Sequence, residues 1–514
     1  MIWLGVEFPN LALEVFLRAI IAPACPAANP ALAVCDNQRI LLACPQAAQQ
    51  GIHPGMKRAT ALALLPDLVL RERDPRQELD ALHQAAGWAL QFTPSVSLQF
   101  TPAQGLGMAA RGDAKAAGLL LEIEPSLRLF GGRDALTAAL RTGLADLGFV
   151  TRIACAPTAT GAWLLARHQD GLLAENPALL NARLSGVPSG LLDTAGAHAD
   201  VLQTIGAHHL KELAQLPRAG LARRFGRHLL TELDRAFGRV PEPREWFEAP
   251  AVFSARLELL AQVDNAQALL FGARRLVVLL CGWLAARHAA TRSIELLAAH
   301  DDGEPTRIDL QTADATRDID RLAILLREKL AITRLRAPVH TLQIGCDQVS
   351  VMPAVNTTLF ALPANARESL GRLVERLQSR LGRDRVLQLL PAADHRPEYA
   401  YRLASANVDA LTAESPAPGS SCSPEPSWGS LPRPLWMLDK PQALTERNDR
   451  PWWHGPLALL AGPERIETGW WDNHLVQRDY FIASDETDML LWIYRERLPD
   501  AGTRAGWFLQ GRFG

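Results

Sequence analysis

AAGLLLEIEPSLRLFGG, residues 116–132, reads as an apolar β-strand that runs into a turn-rich segment. A helix pattern, RDALTAALRTGLADLG, and a further strand pattern, FVTRIACAPT, follow it. Upstream, an opening strand over residues 1–8 and a predicted hairpin over residues 30–44 extend the alternation. Strands and helices alternate through about residue 165, which predicts an α/β layer structure for the first part of the chain.

The chain is long enough to fill several hydrophobic cores. It has 514 residues, of which 48% are hydrophobic and 21% are charged, the ordinary balance of a globular protein. This length predicts about three or four domains. The formal net charge of −2 does not exclude nucleic acid as a partner, because arginines cluster in the middle of the chain.

Cysteine spacing and the apolar runs indicate the compartment. Seven cysteines lie scattered without a C-x-x-C pair, which excludes a zinc knuckle and fits a reducing cytosol. No uninterrupted apolar run reaches about 18 residues, and the first residues lack the basic leader of a secretory signal. We therefore expect a cytoplasmic protein without a membrane contact.

Later segments differ in composition. Residues 208–239, punctuated by glycines, carry seven Lys or Arg against three Asp or Glu. Residues 250–350 alternate helix and strand patterns and predict a second α/β layer. Residues 404–430 are rich in Ser, Pro and Ala, as in a flexible linker. Eight of the thirteen tryptophans lie between residues 428 and 507, where alternating runs predict a small β module.

Several motifs carry a family resemblance. They are the strand that ends in Glu7-Phe8-Pro9, GIHPGM (51–56), LEIEPSLRLFGG (121–132), TIGAHHLKELAQLP (204–217), and the tail GPERIETGWWDNHLVQRDYF with WFLQGRF. Together they resemble the Y-family of translesion DNA polymerases over residues 1–390. More narrowly, they resemble a polymerase-like subfamily of a bacterial damage-induced mutagenesis cassette.

The resemblance implies an α+β multidomain fold. Its first parts are palm and fingers over 1–185, a helix-hairpin-helix-like thumb over 186–245, and an α/β-sandwich little finger with a clamp-binding segment over 246–400. A linker over 401–430 and a Trp-rich, β-rich interaction module over 431–514 follow.

The palm positions that carry catalysis in active relatives are degenerate here. Polymerase chemistry uses two Mg²⁺ ions bridged by carboxylates at the ends of neighbouring strands. In the family the first strand ends in Asp-x-Asp, and the matching positions of this chain are Glu7 and Pro9. The second acidic pair matches Ala117 and Gly118, neither of which can bind a metal. The resemblance therefore implies no catalytic residues, no metal and no cofactor.

The fingers positions agree with this interpretation. Active relatives hold the triphosphate with a Tyr and an Arg upstream of the turn that matches GIHPGM. Pro45 and Ala48 stand in those places. A triphosphate would find no guanidinium there to pair with.

An active enzyme with a rearranged metal site is the alternative. In a strand over 118–124, Glu122 and Glu124 would point to the same face, because side chains alternate with a period of two. With Glu7 or Asp113 they could then hold a metal ion. The competing interpretation is that they are solvent-facing or structural acids.

DNA binding needs none of those acids. The TIGAHHLKELAQLP segment resembles a helix-hairpin-helix-like thumb, in which backbone amides at the Gly206 turn can hold a phosphate. Neighbouring basic side chains would add attraction that is independent of DNA sequence. They are Lys211, Arg218, Arg223, Arg224 and Arg227. The competing interpretation is an ordinary solvated basic face.

The candidate for a sliding-clamp contact is Asn356-Thr357-Thr358-Leu359-Phe360. Bacterial clamp ligands resemble Gln-x-Asp/Ser-Leu-Phe, in which the amide bonds at the rim and Leu-Phe fills an apolar pocket. Asn356 keeps the amide but is one methylene shorter than Gln. The competing interpretation is a buried Leu-Phe pair between two elements.

The tryptophan pairs of the last segment are further candidate contacts. Trp452-Trp453 and Trp470-Trp471 cannot all be buried if their strands alternate faces, and exposed tryptophans favour interfaces. In the subfamily this part is associated with an error-prone C-family DNA polymerase and a RecA-like cassette partner. The competing interpretation is the core of a small domain.

The implied function is that of a non-catalytic polymerase homologue in DNA repair and SOS-induced mutagenesis. Such a protein would bind primer-template or damaged DNA, dock on the sliding clamp and bring the error-prone polymerase to lesions. An active translesion polymerase is the main alternative, which primer extension would distinguish. A DNA-structure-binding repair factor without a clamp contact is the third, which clamp binding would distinguish.

Overall fold

The computed structural model of the chain describes residues 1–18, 30–100, 116–195, 198–301, 303–351, 364–406, 432–472, 474–497 and 506–513. These residues divide into two units, Met1–Arg380 and Leu381–Gly514. None of the helices in the described ranges combines the length and apolar composition that crossing a membrane requires.

The first unit contains both helices and strands. Its strands are β1 (Trp3–Glu7), β2 (Leu32–Asp36), β3 (Arg39–Ala43), β4 (Val69–Glu72), β5 (Val96–Phe100), β6 (Ala117–Glu122), β7 (Arg152–Ala156), β8 (Phe253–Val263), β9 (Ala289–His300), β10 (Thr306–Thr316), β11 (Val339–Cys346) and β12 (Val349–Val351). Its helices are α1 (Leu11–Leu17), α2 (Pro45–Gln49), α3 (Arg58–Leu64), α4 (Pro75–Ala89), α5 (Arg133–Asp146), α6 (Ala159–His168), α7 (Pro177–Ser185), α8 (Ala199–Thr204), α9 (Leu210–Gln215), α10 (Arg218–Phe225), α11 (Arg227–Ala236), α12 (Leu270–Ala286), α13 (Ile319–Ile332) and α14 (Ala364–Leu381), which ends at the unit boundary.

The N-terminal sheet has the order β5-β6-β1-β7, and every neighbouring pair is antiparallel. Because side chains alternate along a strand, β1 and β6 bury apolar residues on both faces. Helices α4 and α5 cover one face, where Leu4, Val6 and Leu119 are buried. Helix α6 covers the other face, against Trp3 and Leu120. The sheet is therefore the central layer of this part of the chain.

The hairpin predicted over residues 30–44 is confirmed as β2 and β3, which join β4 in a three-stranded sheet. Its turn uses Asn37 and Gln38 in the left-handed region, with φ of 48° and 68°. Asn tolerates this conformation better than most side chains, which is why it marks such turns in a sequence.

The second α/β layer is built on the sheet β10-β9-β11-β8, with β12 added along β9. Its core is continuous with that of the N-terminal sheet. The ring of Trp88 on α4 lies between two helical glycines, Gly143 on α5 and Gly282 on α12. A Cβ atom at either glycine would come within 2.1 or 2.2 Å of that ring. These glycines let α4, α5 and α12 pack closely, so the two sheets share one core.

The segment between α11 and β8, residues 237–252, runs along the N-terminal sheet. The Phe247 amide donates to the carbonyl of Val96, the first residue of β5, at 2.7 Å. Glu242 accepts hydrogen bonds from the Thr160 amide at 3.0 Å and from its hydroxyl at 2.5 Å, at the start of α6. These bonds fix the segment against the sheet before it enters β8.

The second unit is β-rich. Its strands are β13 (Leu387–Pro391), β14 (Tyr401–Ser405), β15 (Trp436–Arg447), β16 (Arg450–Trp453), β17 (Gly455–Pro456), β18 (Ala458–Thr468), β19 (Val476–Ser484), β20 (Leu490–Glu496) and β21 (Trp507–Arg512). Strands β13 and β14 form a two-stranded ribbon, and the others form a seven-stranded sheet of order β17-β16-β15-β21-β20-β19-β18. Together with the first unit, this arrangement confirms the α+β multidomain class and the β-rich C-terminal module.

Candidate functional site

The four degenerate palm positions meet at one edge of the N-terminal sheet. Glu7 ends β1 and lies directly across from Gly118 on β6 and Arg152 on β7. The Phe8 amide donates to the Ala117 carbonyl at 2.9 Å, and Pro9 follows Phe8 in the turn. The structure therefore brings together the residues that the family resemblance aligned with a metal site.

Glu7 at this edge is paired with a cation. Its side chain is buried, and Oε2 lies 3.4 Å from Nη1 of Arg152. Burial raises the pKa of Glu7 above its ordinary value, and the charges of Arg152 and Arg167 oppose that rise. A divalent cation here would have to displace Arg152 and would be repelled by both guanidinium groups. The residues present do not fit a two-metal site.

Gly118 has no room for a side chain. A Cβ atom at this position would lie 2.2 Å from the Val6 carbonyl oxygen and 2.3 Å from the Trp163 ring. A Cβ atom at Gly5 would lie 2.4 Å from the Ala162 carbonyl oxygen. Helix α6 thus lies directly on β1 and β6, and its Trp163 ring occupies the space that a carboxylate at position 118 would need.

The alternative metal site of Glu122 and Glu124 does not form. Strand β6 ends at Glu122, and Glu124 begins a 3₁₀ turn that contains Pro125, so the predicted shared strand face over 118–124 is wrong. Proline has no amide proton for the strand ladder, which explains the end of the strand. Glu124 instead pairs with the Met1 amino group at 2.6 Å.

Distance separates these acids from Glu7 as well. Glu122 lies across from Trp3, whereas Glu7 lies across from Gly118, four residues away along the strand. At 3.3 Å a residue, that separation is about 13 Å. Asp113 lies outside the described residues. Within the described ranges, no group of three His, Cys, Asp or Glu side chains could hold a metal ion.

The fingers positions carry no charge. Pro45 opens the short helix α2, and Ala48 lies within it. The Cys44 thiol caps the helix by accepting a hydrogen bond from the Ala47 amide at 3.5 Å. The GIHPGM turn that follows depends on Gly51 and Gly55, with φ of 89° and 84°. Neither position supplies a group that could pair with a triphosphate.

The basic region lies on helices α9 to α11. Lys211, Arg223, Arg224 and Arg227 are exposed, and among the described residues they have no ion-pair partner. Arg218 is different, because its guanidinium makes two hydrogen bonds to Asp234, at 3.0 and 2.5 Å. These bonds lower the pKa of Asp234, whose carboxylate is shared between Arg218 and Arg239.

The Gly206 turn does not offer the phosphate cradle that the sequence predicts. Gly206 adopts φ of 78°, and its amide donates to the Gln203 carbonyl at 3.0 Å. The next amide donates to the Leu202 carbonyl at 2.9 Å. The His209 amide donates to the Glu212 carboxylate at 2.7 Å. These amides are therefore engaged within the protein.

The two remaining candidate surfaces have different outcomes. The segment Asn356–Phe360 lies outside the described residues. Of the tryptophan pairs, Trp453 packs against the core of the second unit, whereas Trp470 and Trp471 are 71% and 55% exposed. The core interpretation therefore holds for Trp453, and the interface interpretation of Trp470-Trp471 stays a prediction.

Sequence reasoning missed the residues that replace the metal site. Arg152 and Trp163 are 34 and 45 positions from Gly118, so no local motif links them to the degenerate acids. Arg152 is the fourth residue of the strand pattern FVTRIACAPT. That Glu7 is its partner follows only from the pairing of β1 with β7.

The chain is similar to a known protein over nearly its whole length. No protein-family model matches it. Protein ImuB of Caulobacter vibrioides, in two strains, is 30% identical over 484 residues, which cover 90% of this chain and 100% of that protein.

Solved structures of lower similarity cover about two thirds of the chain. An insertion ternary complex of Dbh DNA polymerase is 15% identical, covers 68% of this chain and 100% of its own, and has a TM-score of 0.38. DinB from Sulfolobus solfataricus is 15% identical, covers 69% of this chain and 100% of its own, and has a TM-score of 0.36.

The packing at Gly118 predicts the effect of restoring an acid there. Gly118→Asp should destabilise the protein by about 1–3 kcal/mol or more, because the new side chain meets the Val6 carbonyl and the Trp163 ring. Gly190→Asp is the matched control, since a Cβ atom there meets nothing within 4 Å. Thermal unfolding with and without Mg²⁺ measures both. A Gly118→Asp variant as stable as wild type, and further stabilised by Mg²⁺, would contradict the account.

Proposed function

The chain belongs to the ImuB family, and on that premise we propose that it is a non-catalytic homologue of Y-family polymerases that acts as an adaptor in error-prone translesion synthesis. It binds primer-template or damaged DNA in the cytoplasm, docks on the sliding clamp and brings an error-prone C-family polymerase to the lesion. The division into five segments, from palm and fingers to the C-terminal interaction module, is part of this proposal.

One observation carries the non-catalytic assignment. At the edge where a polymerase would bind two metal ions, the single remaining acid, Glu7, is paired with Arg152. Gly118 beside it is covered by Trp163, so no second carboxylate could stand there without repacking. Two-metal catalysis requires several carboxylates that converge on the ions. An active polymerase with a rearranged site also loses its basis, since Glu122 lies at the opposite end of the sheet.

DNA binding is supported by the exposed cations of α9 to α11. Exposed basic side chains that have no ion-pair partner in the described part of the chain attract the phosphate backbone irrespective of base sequence. Four such side chains lie on these helices, namely Lys211, Arg223, Arg224 and Arg227. Arg218 differs from this set, because it is paired with Asp234, which also pairs with Arg239. We therefore assign the contact to side chains rather than to the amides of the Gly206 turn.

Clamp and partner contacts rest on the family and on two short segments. The pentapeptide Asn356–Phe360 keeps the Leu-Phe pair of a clamp ligand. The C-terminal module, with its exposed Trp470 and Trp471, is the surface that we assign to the C-family polymerase and the RecA-like partner. A repair factor without a clamp contact would share the DNA-binding surface, so clamp affinity distinguishes it from the adaptor.

The DNA contact predicts a change in salt dependence. Each phosphate contact on duplex DNA contributes a slope of about −0.9 to the plot of log affinity against log salt concentration. Arg223→Ala/Arg224→Ala should weaken binding to primer-template DNA and make the slope shallower by up to about 1.8. Lys440→Ala/Arg450→Ala, which removes two exposed cations of the other unit, is the control. An unchanged slope in the first variant would remove these arginines from the interface.

The clamp contact predicts a large loss on truncation. Burying a Leu or Phe side chain is worth roughly 1.5–3 kcal/mol, so Leu359→Ala/Phe360→Ala should weaken clamp binding by about two decades. Asn356→Gln should tighten binding modestly, because it restores the longer amide. Affinity for the purified clamp is the measurement.

Two checks accompany this clamp measurement. Circular dichroism verifies that each variant is folded. Leu373→Ala/Leu377→Ala, which removes two exposed leucines of α14, controls for a general loss of apolar surface. If the folded Leu359→Ala/Phe360→Ala variant binds the clamp as tightly as wild type, the pentapeptide is not the docking segment.

A further inference from the structure

Strand β8 lies at an edge of its sheet. The sheet order β10-β9-β11-β8 gives it a single neighbouring strand, β11. Residues Phe253–Glu258 pair with β11 in unbroken register, and the register shifts only beyond Glu258. No proline interrupts β8. A regular strand edge of this kind accepts a further strand unless other parts of the protein cover it.

The main chain of Arg256 faces away from β11. Its carbonyl accepts a hydrogen bond from the Gln84 side chain of α4 at 3.4 Å. In an antiparallel strand the N–H and the C=O of one residue point to the same side, and every second residue repeats that direction. Ser254, Arg256 and Glu258 therefore direct their main-chain amides to the outer edge of β8. The described residues provide no acceptor for these amides there.

The two edges of the N-terminal sheet differ from this one, because main chain covers them. On β5, the Val96 carbonyl accepts from the Phe247 amide at 2.7 Å. On β7, the Cys155 amide donates to the Leu172 carbonyl at 2.9 Å. At β8 the Gln84 contact comes from a side chain only. The outer edge of β8 therefore keeps the capacity to pair with another strand.

A groove with a volume of about 770 Å³ runs along this edge. All six residues of Phe253–Glu258 line one wall, and one side of α4, from Gln77 to Trp88, lines the other. Leu279 and Trp283 of α12 add buried apolar surface between the walls. Six residues of extended chain are about 20 Å long, so the groove follows the strand for that length.

The charges along the groove indicate a basic occupant. Its exposed charged side chains are those of Asp80, Glu248, Glu258 and Arg256. Arg256 pairs with Glu258 at 2.9 Å. Asp80 and Glu248 have no ion-pair partner in the described part of the chain. Two carboxylates at the rim therefore have no cation to balance them.

The buried cation Arg18 also reaches the groove, and it does not reverse this charge. With Arg18 included, three carboxylates still stand against two guanidinium groups. Arg18 is 4% exposed, and its Nε donates to the Leu147 carbonyl at 2.8 Å. Burial and the neighbouring Arg275 lower the pKa of Arg18 to about 9, and Glu14 opposes that shift. The surface that an occupant meets first is the acidic rim.

We propose that this groove binds an extended segment of a partner protein in which apolar and basic residues alternate. The segment pairs with the outer edge of β8 as an added strand. Because side chains alternate between the faces of a strand, the apolar ones enter toward Leu279 and Trp283 and the basic ones meet Asp80 and Glu248. These residues take no part in the DNA, clamp or C-terminal contacts proposed above, so the site is tested independently of the adaptor function.

The probe is the synthetic peptide Lys-Val-Lys-Val-Lys-Val, with blocked ends, titrated into the full-length chain in a calorimeter. Lys-Lys-Lys-Val-Val-Val is the matched control, because it has the same charge and the same apolar content without the alternation. We expect the alternating peptide to bind at least about 10-fold more tightly, because only that peptide has one apolar and one basic face when it is extended.

Two changes test the main-chain pairing. The peptide is N-methylated at every second residue, in each of the two possible phases, and the phase that blocks the amides facing β8 should bind about 10-fold more weakly. In the protein, Arg256→Pro removes an outward amide that the ladder with β11 does not use, and it should weaken binding to a similar extent. Arg256→Ala keeps that amide and removes a cation from the groove, so it should tighten binding.

A double substitution tests the acidic rim. Asp80→Asn/Glu248→Gln should weaken binding of the alternating peptide by about 10-fold at low salt and reduce its salt dependence, because exposed charges attract through a screened field. Asp67→Asn/Asp146→Asn is the matched control, since both are exposed acids of the first unit that lie outside the groove. Circular dichroism verifies that each variant is folded, and the N-methylated peptides require no change in the protein.

Each contrary result would overturn the proposal. Absence of binding by the alternating peptide up to about 1 mM would show that the groove does not take such a segment. Equal binding by both N-methylated forms would exclude main-chain pairing, and equal binding by Asp80→Asn/Glu248→Gln would place the peptide elsewhere. If the peptide does not bind, and wild type self-associates whereas Arg256→Pro does not, the edge of β8 pairs with a second copy of this chain instead.

Discussion

Helix α6 lies close against strands β1 and β6, because Gly5 and Gly118 have no side chain in the space that the helix backbone and the Trp163 ring occupy. The Trp163 ring covers Gly118 as a result, and the end of the helix stands over the edge where Glu7 meets Arg152. The metal site of a polymerase is therefore replaced by close packing and an ion pair. A single substitution that restores one acid could not rebuild it, since carboxylates need space and an electrostatic environment that tolerates Mg²⁺.

Close packing at glycines also joins the other parts of the first unit. Trp88 fits between Gly143 and Gly282, which joins the second α/β layer to the N-terminal sheet through one core. The segment that connects the two layers is bonded to the sheet edge at Val96 and to the start of α6 at Thr160.

The sequence was sufficient for the parts of the fold that local patterns encode. Apolar runs and turn signals predicted β1, β6 and the β2–β3 hairpin, and the family resemblance aligned Glu7, Pro9, Ala117 and Gly118 with the degenerate positions. Two predictions were affected by neighbouring residues. Pro125 ends the strand before Glu124, so Glu122 and Glu124 do not share a strand face. Glu212 accepts a hydrogen bond from the His209 amide, which is therefore engaged within the protein. The Glu7–Arg152 pair and the groove along β8 depend on strand pairing and helix packing between residues distant in sequence, which no local motif specifies.

The central claim is that this polymerase-like chain does not transfer nucleotides. Primer extension with the full-length protein in Mg²⁺ and in Mn²⁺, beside an active Y-family polymerase, tests it most directly. The account predicts no template-directed incorporation by wild type or by Glu7→Ala, at protein concentrations that saturate the primer-template. Incorporation by wild type that disappears in Glu7→Ala would contradict it, because Glu7 would then be a metal ligand rather than the partner of Arg152.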